Sequence, residues 1–125
     1  MDLHARKEFG VYLKELRFLA GLSLRDVEKA TGSTVSNAYI SQLESGKIET
    51  PSPHVLDKLA TVYGVPHREM MEAAGYIKRA DGEKTGVPSA IPFLRKQDLT
   101  REEREETIRF LEFLRLRKGK KTHEK

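Results

Sequence analysis

A stretch of short polar side chains within residues 37–42 carries the most specific chemistry in this sequence. The spacing of Ile40 and Leu43 predicts that both face the protein interior on a helix. The residues left on the opposite side of that helix are Asn37, Ala38, Ser41 and Gln42. Asparagine and glutamine amides can each form two hydrogen bonds with the edge of an adenine, and small side chains allow close approach. This face therefore suits base edges in a DNA major groove, although an ordinary solvated helix surface has a similar composition.

The helices around this polar face must hold it in position. Apolar residues recur at intervals of three and four along the first part of the chain, and a glycine follows most of these runs. Ser23 and Ser36 stand where a helix N-cap is needed, and Pro53 occupies a first helical position. The predicted helices cover residues 4–20, 23–31, 36–45, 53–63 and 66–74. The sequence thus predicts a compact all-α domain of five short helices over residues 1–76.

The sequence changes character after residue 76. Residues 77–98 show little apolar periodicity and are predicted to form a linker. The capping-box pattern that starts at Thr100 predicts a C-terminal helix over residues 99–118, and a basic tail over residues 119–125 follows it.

The predicted C-terminal helix carries apolar side chains on more than one narrow stripe. Packing on a single surface would leave some of them in water, so a second surface should cover them. We expect a dimer interface, formed by Ile108, Phe110, Leu111 and Leu114. The alternative is that this helix packs onto its own chain, and the sequence does not decide between the two.

Residues 6–76 resemble the Cro/Xre-type helix-turn-helix family of phage and bacterial repressors. The resemblance rests on two runs, LSLRDVEKATG from Leu22 to Gly32 and SNAYISQLESGK from Ser36 to Lys47. It implies a sequence-specific transcriptional regulator; a repressor is the leading expectation, and the sequence leaves an activator open. It also implies a homodimer on a near-palindromic operator, with the helix over residues 36–45 in the major groove of double-stranded DNA.

The resemblance assigns roles to individual residues. Arg17 and Glu44 match an ion pair that ties the first helix to the recognition helix, and Lys47 matches a position that touches phosphate. The positions that read bases in the family fall on Ser36, Asn37, Ala38, Ser41 and Gln42.

Two departures from the family pattern affect the phosphate contacts. Leu24 stands where the family usually has a phosphate-binding glutamine, so the contact is expected from neighbouring side chains or from backbone N–H groups beside them. The turn over residues 33–35 is longer than the common form, which could tilt the recognition helix or bring the turn onto the DNA backbone. The expected phosphate contacts are Ser23, Arg25, Ser33, Thr34 and Lys47.

Composition and spacing argue against catalysis and metal binding. The chain has no cysteine, and its four histidines lack the spacing of metal ligands. The carboxylates of residues 102–106 suit a solvated helix face better than acid catalysis. We therefore expect no enzymatic activity, no cofactor and no metal.

The charge distribution leaves a second interpretation open. The chain has a net charge of +4, but residues 1–64 carry eight basic and eight acidic side chains, and the basic excess lies in residues 115–125. A neutral domain is compatible with a protein-interaction adaptor or antitoxin-like partner that uses the same fold, and an unknown protein or ligand could regulate the chain. No apolar run approaches the ~20 residues of a membrane span, so we expect a cytoplasmic protein without a membrane partner.

Overall fold

A computed structural model describes residues 1–78 and 87–123, with side chains described as far as Arg117. Within these residues the chain forms seven α-helices and no β-strand, which confirms the all-α prediction. The helices are α1 (Leu3–Ala20), α2 (Leu24–Ala30), α3 (Asn37–Glu44), α4 (Pro53–Tyr63), α5 (His67–Ala73), α6 (Pro92–Arg95) and α7 (Arg101–His123). None of these helices is long and apolar enough to cross a membrane.

Local hydrogen bonds explain where the first helices begin and end. The hydroxyl of Ser23 accepts from the backbone N–H of Asp26, and the Asp26 carboxylate accepts from the N–H of Ser23, which completes a capping box at α2. The hydroxyl of Ser36 caps α3 by accepting from the backbone N–H of Tyr39. Gly21 ends α1 in the left-handed conformation (φ 71°), which a glycine adopts without steric cost.

The apolar faces of α1 to α5 form one core. Its fully buried members include Phe9 and Leu13 from α1, Ile40 from α3 and Leu56 from α4. Val35, in the turn before α3, is also buried and belongs to the same core. The turn is thereby anchored to the core that supports the helices on either side of it.

A glycine lets α1 and α3 approach closely. A Cβ atom at Gly10 would lie 2.2 Å from the backbone oxygen of Glu44 and 3.0 Å from that of Leu43. No larger residue fits at this position unless the end of α3 moves away from α1. The spacing between the two helices therefore depends on the absence of a side chain at residue 10.

The segment before α7 is packed, which corrects part of the predicted linker. Residues 79–86 lie outside the described residues, but residues 87–95 lie against the domain and include the short helix α6. Ser89 and Ala90 are buried, and both donate a hydrogen bond to a carboxylate inside the fold. The periodicity of the sequence does not reveal this contact, since it depends on single polar groups.

A buried ion pair joins α7 to α1. Glu15 has no exposed surface, and its carboxylate accepts hydrogen bonds from Arg104 Nε (3.1 Å) and Nη2 (2.7 Å). The same carboxylate accepts from the hydroxyl of Ser89 (2.6 Å) and from the backbone N–H of Ala90 (3.0 Å). Arg104 also donates to the backbone oxygen of Val87 (2.8 Å). These bonds satisfy both charges and fasten the C-terminal segment to the first helix.

The C-terminal helix packs onto its own chain, and this corrects one predicted dimer residue. Ile108 is only 3% exposed because α7 lies on α1, so it cannot form a surface for a second subunit. Leu111 and Leu114 are partly buried, whereas Phe110 remains exposed. The helix runs to His123, so much of the predicted basic tail is helical; Glu124 and Lys125 lie outside the described residues.

Candidate nucleic-acid interface

The turn between α2 and α3 is built from hydrogen bonds of its own residues. The hydroxyl of Thr31 donates to the backbone oxygen of Glu28 (2.7 Å) and accepts from the N–H of Val35 (3.2 Å). Thr34 donates its hydroxyl to the backbone oxygen of Thr31 (2.7 Å). Ser33 has a positive φ of 62°, an uncommon conformation for a residue other than glycine, which reverses the chain here. The long turn therefore has a fixed course into α3.

The outward face of α3 is short and polar. Ile40 and Leu43 are buried, while Ala38, Ser41 and Gln42 are exposed. Ser36 is also exposed, but its hydroxyl already accepts from the N–H of Tyr39 (3.1 Å). Ala38, Ser41 and Gln42 therefore form the surface that a DNA groove would meet first.

Asn37 is held by a carboxylate of α2. Its side-chain Nδ2 donates to Glu28 Oε1 (2.6 Å), and its backbone N–H donates to the same oxygen (2.9 Å). These bonds hold the pKa of the Glu28 carboxyl below its usual range, so the group is ionised at neutral pH. A bidentate contact with adenine requires both the nitrogen and the oxygen of the amide. Asn37 would have to release Glu28 before it could read a base in that way.

An ion pair fixes the end of α3 against α1. Arg17 Nε donates to Glu44 Oε2 (2.8 Å), and Nη2 donates to Oε1 (3.0 Å), so the contact is bidentate. A third nitrogen of Arg17 donates to the backbone oxygen of Leu22 in the corner that leads to α2. Glu44 is buried and Arg17 is largely buried, so solvent screens the pair weakly. One arginine thus links three consecutive elements around the polar face.

α2, the turn and α3 form a helix, a turn and a second helix with a polar outer face. The apolar core and the largely buried Arg17–Glu44 pair support them from the inside. Residues 8–87 match a protein family described as a helix-turn-helix domain. The chain belongs to the helix-turn-helix domain family. The resemblance drawn from the two sequence runs is thereby confirmed at the level of this family.

Relatives from Bacillus subtilis (strain 168) carry names that refer to the same domain. The chain is 43% identical over 70 residues to the uncharacterized HTH-type transcriptional regulator RghRB, a match that covers 56% of this chain and 49% of RghRB. It is 33% identical over 92 residues to the HTH-type transcriptional repressor RghR, covering 74% of this chain and 67% of that protein. The chain thus spans about half the length of RghRB and two thirds of RghR.

A third relative is a large enzyme. The chain is 37% identical over 84 residues to a glutamine–fructose-6-phosphate aminotransferase (isomerizing) of Methanocaldococcus jannaschii, which covers 66% of this chain but 8% of the enzyme. Such a small share of the enzyme does not carry an activity over to this helix-turn-helix protein. No solved structure matches the chain.

The helix-turn-helix unit presents mixed charge beside the candidate phosphate contacts. Arg25, Ser33, Thr34 and Lys47 are exposed, as is Ser23. The Ser23 hydroxyl already caps α2, and the backbone N–H of Ser23 holds the pKa of the Asp26 carboxyl below its usual range. A phosphate that approached Ser23 would meet this negative charge. Lys47 follows the end of α3, where its backbone N–H donates to the backbone oxygen of Gln42 (2.9 Å), and its exposed ammonium group carries the positive charge that a phosphate contact uses.

Sequence reasoning missed the carboxylates of the helix-turn-helix unit. The Ser-x-x-Asp pattern from Ser23 to Asp26 is a capping-box signal, so the role of Asp26 could have been found. No sequence signal marks Glu28 as the partner of Asn37, because the turn decides which residues meet. Within the described part of the chain, no three histidine or carboxylate side chains gather as metal ligands would.

Proposed function

We propose that this protein is a sequence-specific DNA-binding transcriptional regulator, and that it acts as a repressor. The observation that carries this proposal is the exposed face of Ala38, Ser41 and Gln42 on a helix braced by the Arg17–Glu44 pair. A rigid support matters because base readout requires side chains held at a fixed depth and angle in the groove. The relationship to proteins named as transcriptional regulator and repressor supports the same assignment. A regulator of this kind acts in the cytoplasm, where bacterial DNA is found.

In this proposal α3 enters the major groove and Gln42 reads a base. Ser41 and Ala38 lie against the groove, and Lys47 neutralises a phosphate beyond the end of the helix. Ser36 and Asn37 contribute at the start of α3, once Asn37 has released Glu28. Arg25, Ser33 and Thr34 supply further contacts with the DNA backbone; Ser23, whose hydroxyl accepts a hydrogen bond in the cap of α2, donates its hydroxyl proton to a phosphate that approaches from the side away from Asp26.

We further propose that the regulator binds as a homodimer to a near-palindromic operator. Two subunits related by a two-fold axis would place their recognition helices in major grooves about 34 Å apart on one side of the duplex. Each half-site would then be read by one copy of the polar face of α3.

Selection of duplexes from a random library, followed by gel-shift titration, tests the proposal. The full chain should enrich an inverted repeat. Gln42→Ala should lose about 1–3 kcal/mol of binding free energy for the best site and relax the preference at one position in each half-site. Lys47→Ala should instead weaken all duplexes equally and reduce the salt dependence by roughly one ion per subunit. If Gln42→Ala selects the same sequences with the same affinity, Gln42 does not read DNA.

The ionised carboxylates of Asp26 and Glu28 favour a second candidate, a protein-interaction adaptor with the same fold. Both lie in the helix-turn-helix unit, where they would repel phosphate. An adaptor would enrich no sequence from the random library, and its Lys47→Ala variant would leave DNA binding unchanged. The selection experiment therefore separates the two functions without knowledge of the partner.

A further inference from the structure

The outward face of α7 is apolar at its centre and charged at both ends. Phe110 and Phe113 are 60% and 55% exposed, although both are large aromatic residues. Together with Glu103, Glu106 and Arg117 they follow one another at intervals of three and four residues, which is the spacing of a coiled-coil seam. All five side chains are exposed. The helix therefore carries a stripe of this kind that the described part of the chain leaves largely exposed, with the Arg117 guanidinium 5.9 Å from the centroid of the Phe113 ring.

The inward face of α7 is already occupied. Arg104 bonds to the buried Glu15, Ile108 is buried, and Arg115 donates to the backbone oxygen of Phe18 (2.8 Å) while it stacks over the Phe18 ring. These residues lie on the side of α7 opposite Phe110, as the helical repeat requires. Because the contacts of Arg104 and Arg115 hold residues 104–115 of α7 against α1, the outward stripe is presented as a fixed surface.

From this surface we infer that a second copy of the chain binds α7 through α7 in antiparallel orientation, an inference that rests on the proposed function as a dimeric regulator. In an antiparallel pair, Phe110 faces Phe113 of the partner subunit, and the aromatic side chains cover one another. Glu106 then faces Arg117 of the partner subunit, and the two-fold axis repeats each contact.

Charge selects the orientation of the pair. A parallel pair in register would place Glu106 against its own copy and Arg117 against its own copy, so like charges would meet at both ends of the seam. The antiparallel pair replaces both repulsions with attractions. Leu114 and Leu116 flank the stripe, where they extend the apolar contact beyond the two phenylalanines.

Charge reversal measured by light scattering on the full chain, without DNA, tests this interface. The unmodified chain should be dimeric at micromolar concentrations, while Glu106→Arg and Arg117→Glu should each raise the dimer dissociation constant at least about tenfold. The double variant E106R/R117E should restore the dimer because the charges are exchanged and the pairing is kept. Lys96→Glu, at an exposed lysine outside α7, should leave the mass unchanged.

Disulfide trapping tests the orientation independently, because the chain has no cysteine of its own. A mixture of the Glu106→Cys and Arg117→Cys variants should cross-link under mild oxidation, whereas each variant alone should remain largely uncross-linked. Cross-linking of either variant alone would show a parallel pair and overturn the inference.

Three further results would overturn the inference: a monomeric unmodified chain, single reversals that dimerise normally, or a double variant that melts normally but stays monomeric. None of these readouts involves DNA. A failure of this interface is therefore distinguishable from a failure of the proposed function, which the library selection reports.

Discussion

Replacing Arg104 by methionine removes the cation that faces the fully buried carboxylate of Glu15. In the native chain the carboxylate accepts two hydrogen bonds from Arg104, one from Ser89 and one from the backbone of Ala90. Methionine fills a similar volume but donates no hydrogen bond, so among the described residues the carboxylate keeps two neutral donors. No other described cation lies at hydrogen-bond distance from its charge, in a site that has no exposed surface.

The expected loss of stability is large for a single substitution. Removing one partner of a buried ion pair costs about 3–5 kcal/mol, because the remaining charge stays desolvated. Domains of this size have a total unfolding free energy of only about 5–15 kcal/mol, so the loss is a substantial fraction of it. The melting temperature should fall by about 10–20 °C.

Urea denaturation followed by circular dichroism measures the loss, and hydrogen exchange locates it. Amide exchange in residues 101–117 should accelerate most, since Arg104 fastens α7 to the rest of the fold. The double variant Glu15→Gln with Arg104→Met should recover part of the stability, because a neutral amide leaves no buried charge: its oxygen can accept from the N–H of Ala90, and its NH2 group can donate to the hydroxyl of Ser89. Lys14→Met is the matched control: its ion pair with Glu105 bridges the same two helices but is partly exposed, so its loss should be below about 1 kcal/mol.

A loss of less than about 1 kcal/mol for Arg104→Met would refute this reasoning. It would mean that water or a rearranged side chain stabilises the charge of Glu15 as effectively as Arg104 does in the native chain. Equal losses for Arg104→Met and Lys14→Met would lead to the same conclusion.

Three further substitutions test other parts of the fold. Glu44→Ala leaves Arg17 without its bidentate partner and should cost about 3–5 kcal/mol in urea denaturation; unchanged stability with lost DNA binding would instead place Glu44 at the groove. Gly10→Ala forces the end of α3 away from α1 and should destabilise the chain by about 1–3 kcal/mol or more, a prediction that an unchanged melting curve would contradict. Glu28→Gln should reduce the stability of the chain above roughly pH 5, where the native Glu28 carboxylate is ionised. The difference in stability between the native chain and the variant should vanish as the pH falls through the lowered pKa of Glu28, because the native carboxyl is then protonated. A pH-independent difference would show that the charge of Glu28 does not hold Asn37.

Most of the fold follows from patterns along the chain. The spacing of apolar residues, the serine caps at Ser23 and Ser36, and the glycine that ends α1 are local features, and each acts within a few residues. They predict the first five helices and the inward orientation of Ile40 and Leu43, because the helical repeat fixes which residues share a face. The same logic predicts that Ala38, Ser41 and Gln42 point outward.

The environment of the other candidate residues depends on contacts between distant segments. Asn37 was expected to read bases, but the turn brings it to Glu28, nine residues earlier. Asp26 lies beside the expected phosphate contact at Ser23, where its charge opposes an anion. The spacing of apolar residues predicts which side of each helix is buried. It does not predict which polar groups of two helices meet, because the turn between those helices sets the angle between them.

Local patterns along the chain specify the helical domain and the polar face of α3, because both depend on the repeat of a single helix. The packing of α7 onto α1, rather than its extension from a linker, depends instead on contacts between distant segments. This packing rests on one buried ion pair, Glu15 with Arg104, and on the burial of Ile108 on the inward face of α7. The two charges are 89 residues apart in the sequence, and the cost of removing them from water is compensated only when α1 and α7 meet. No local pattern in the sequence therefore predicts this pair.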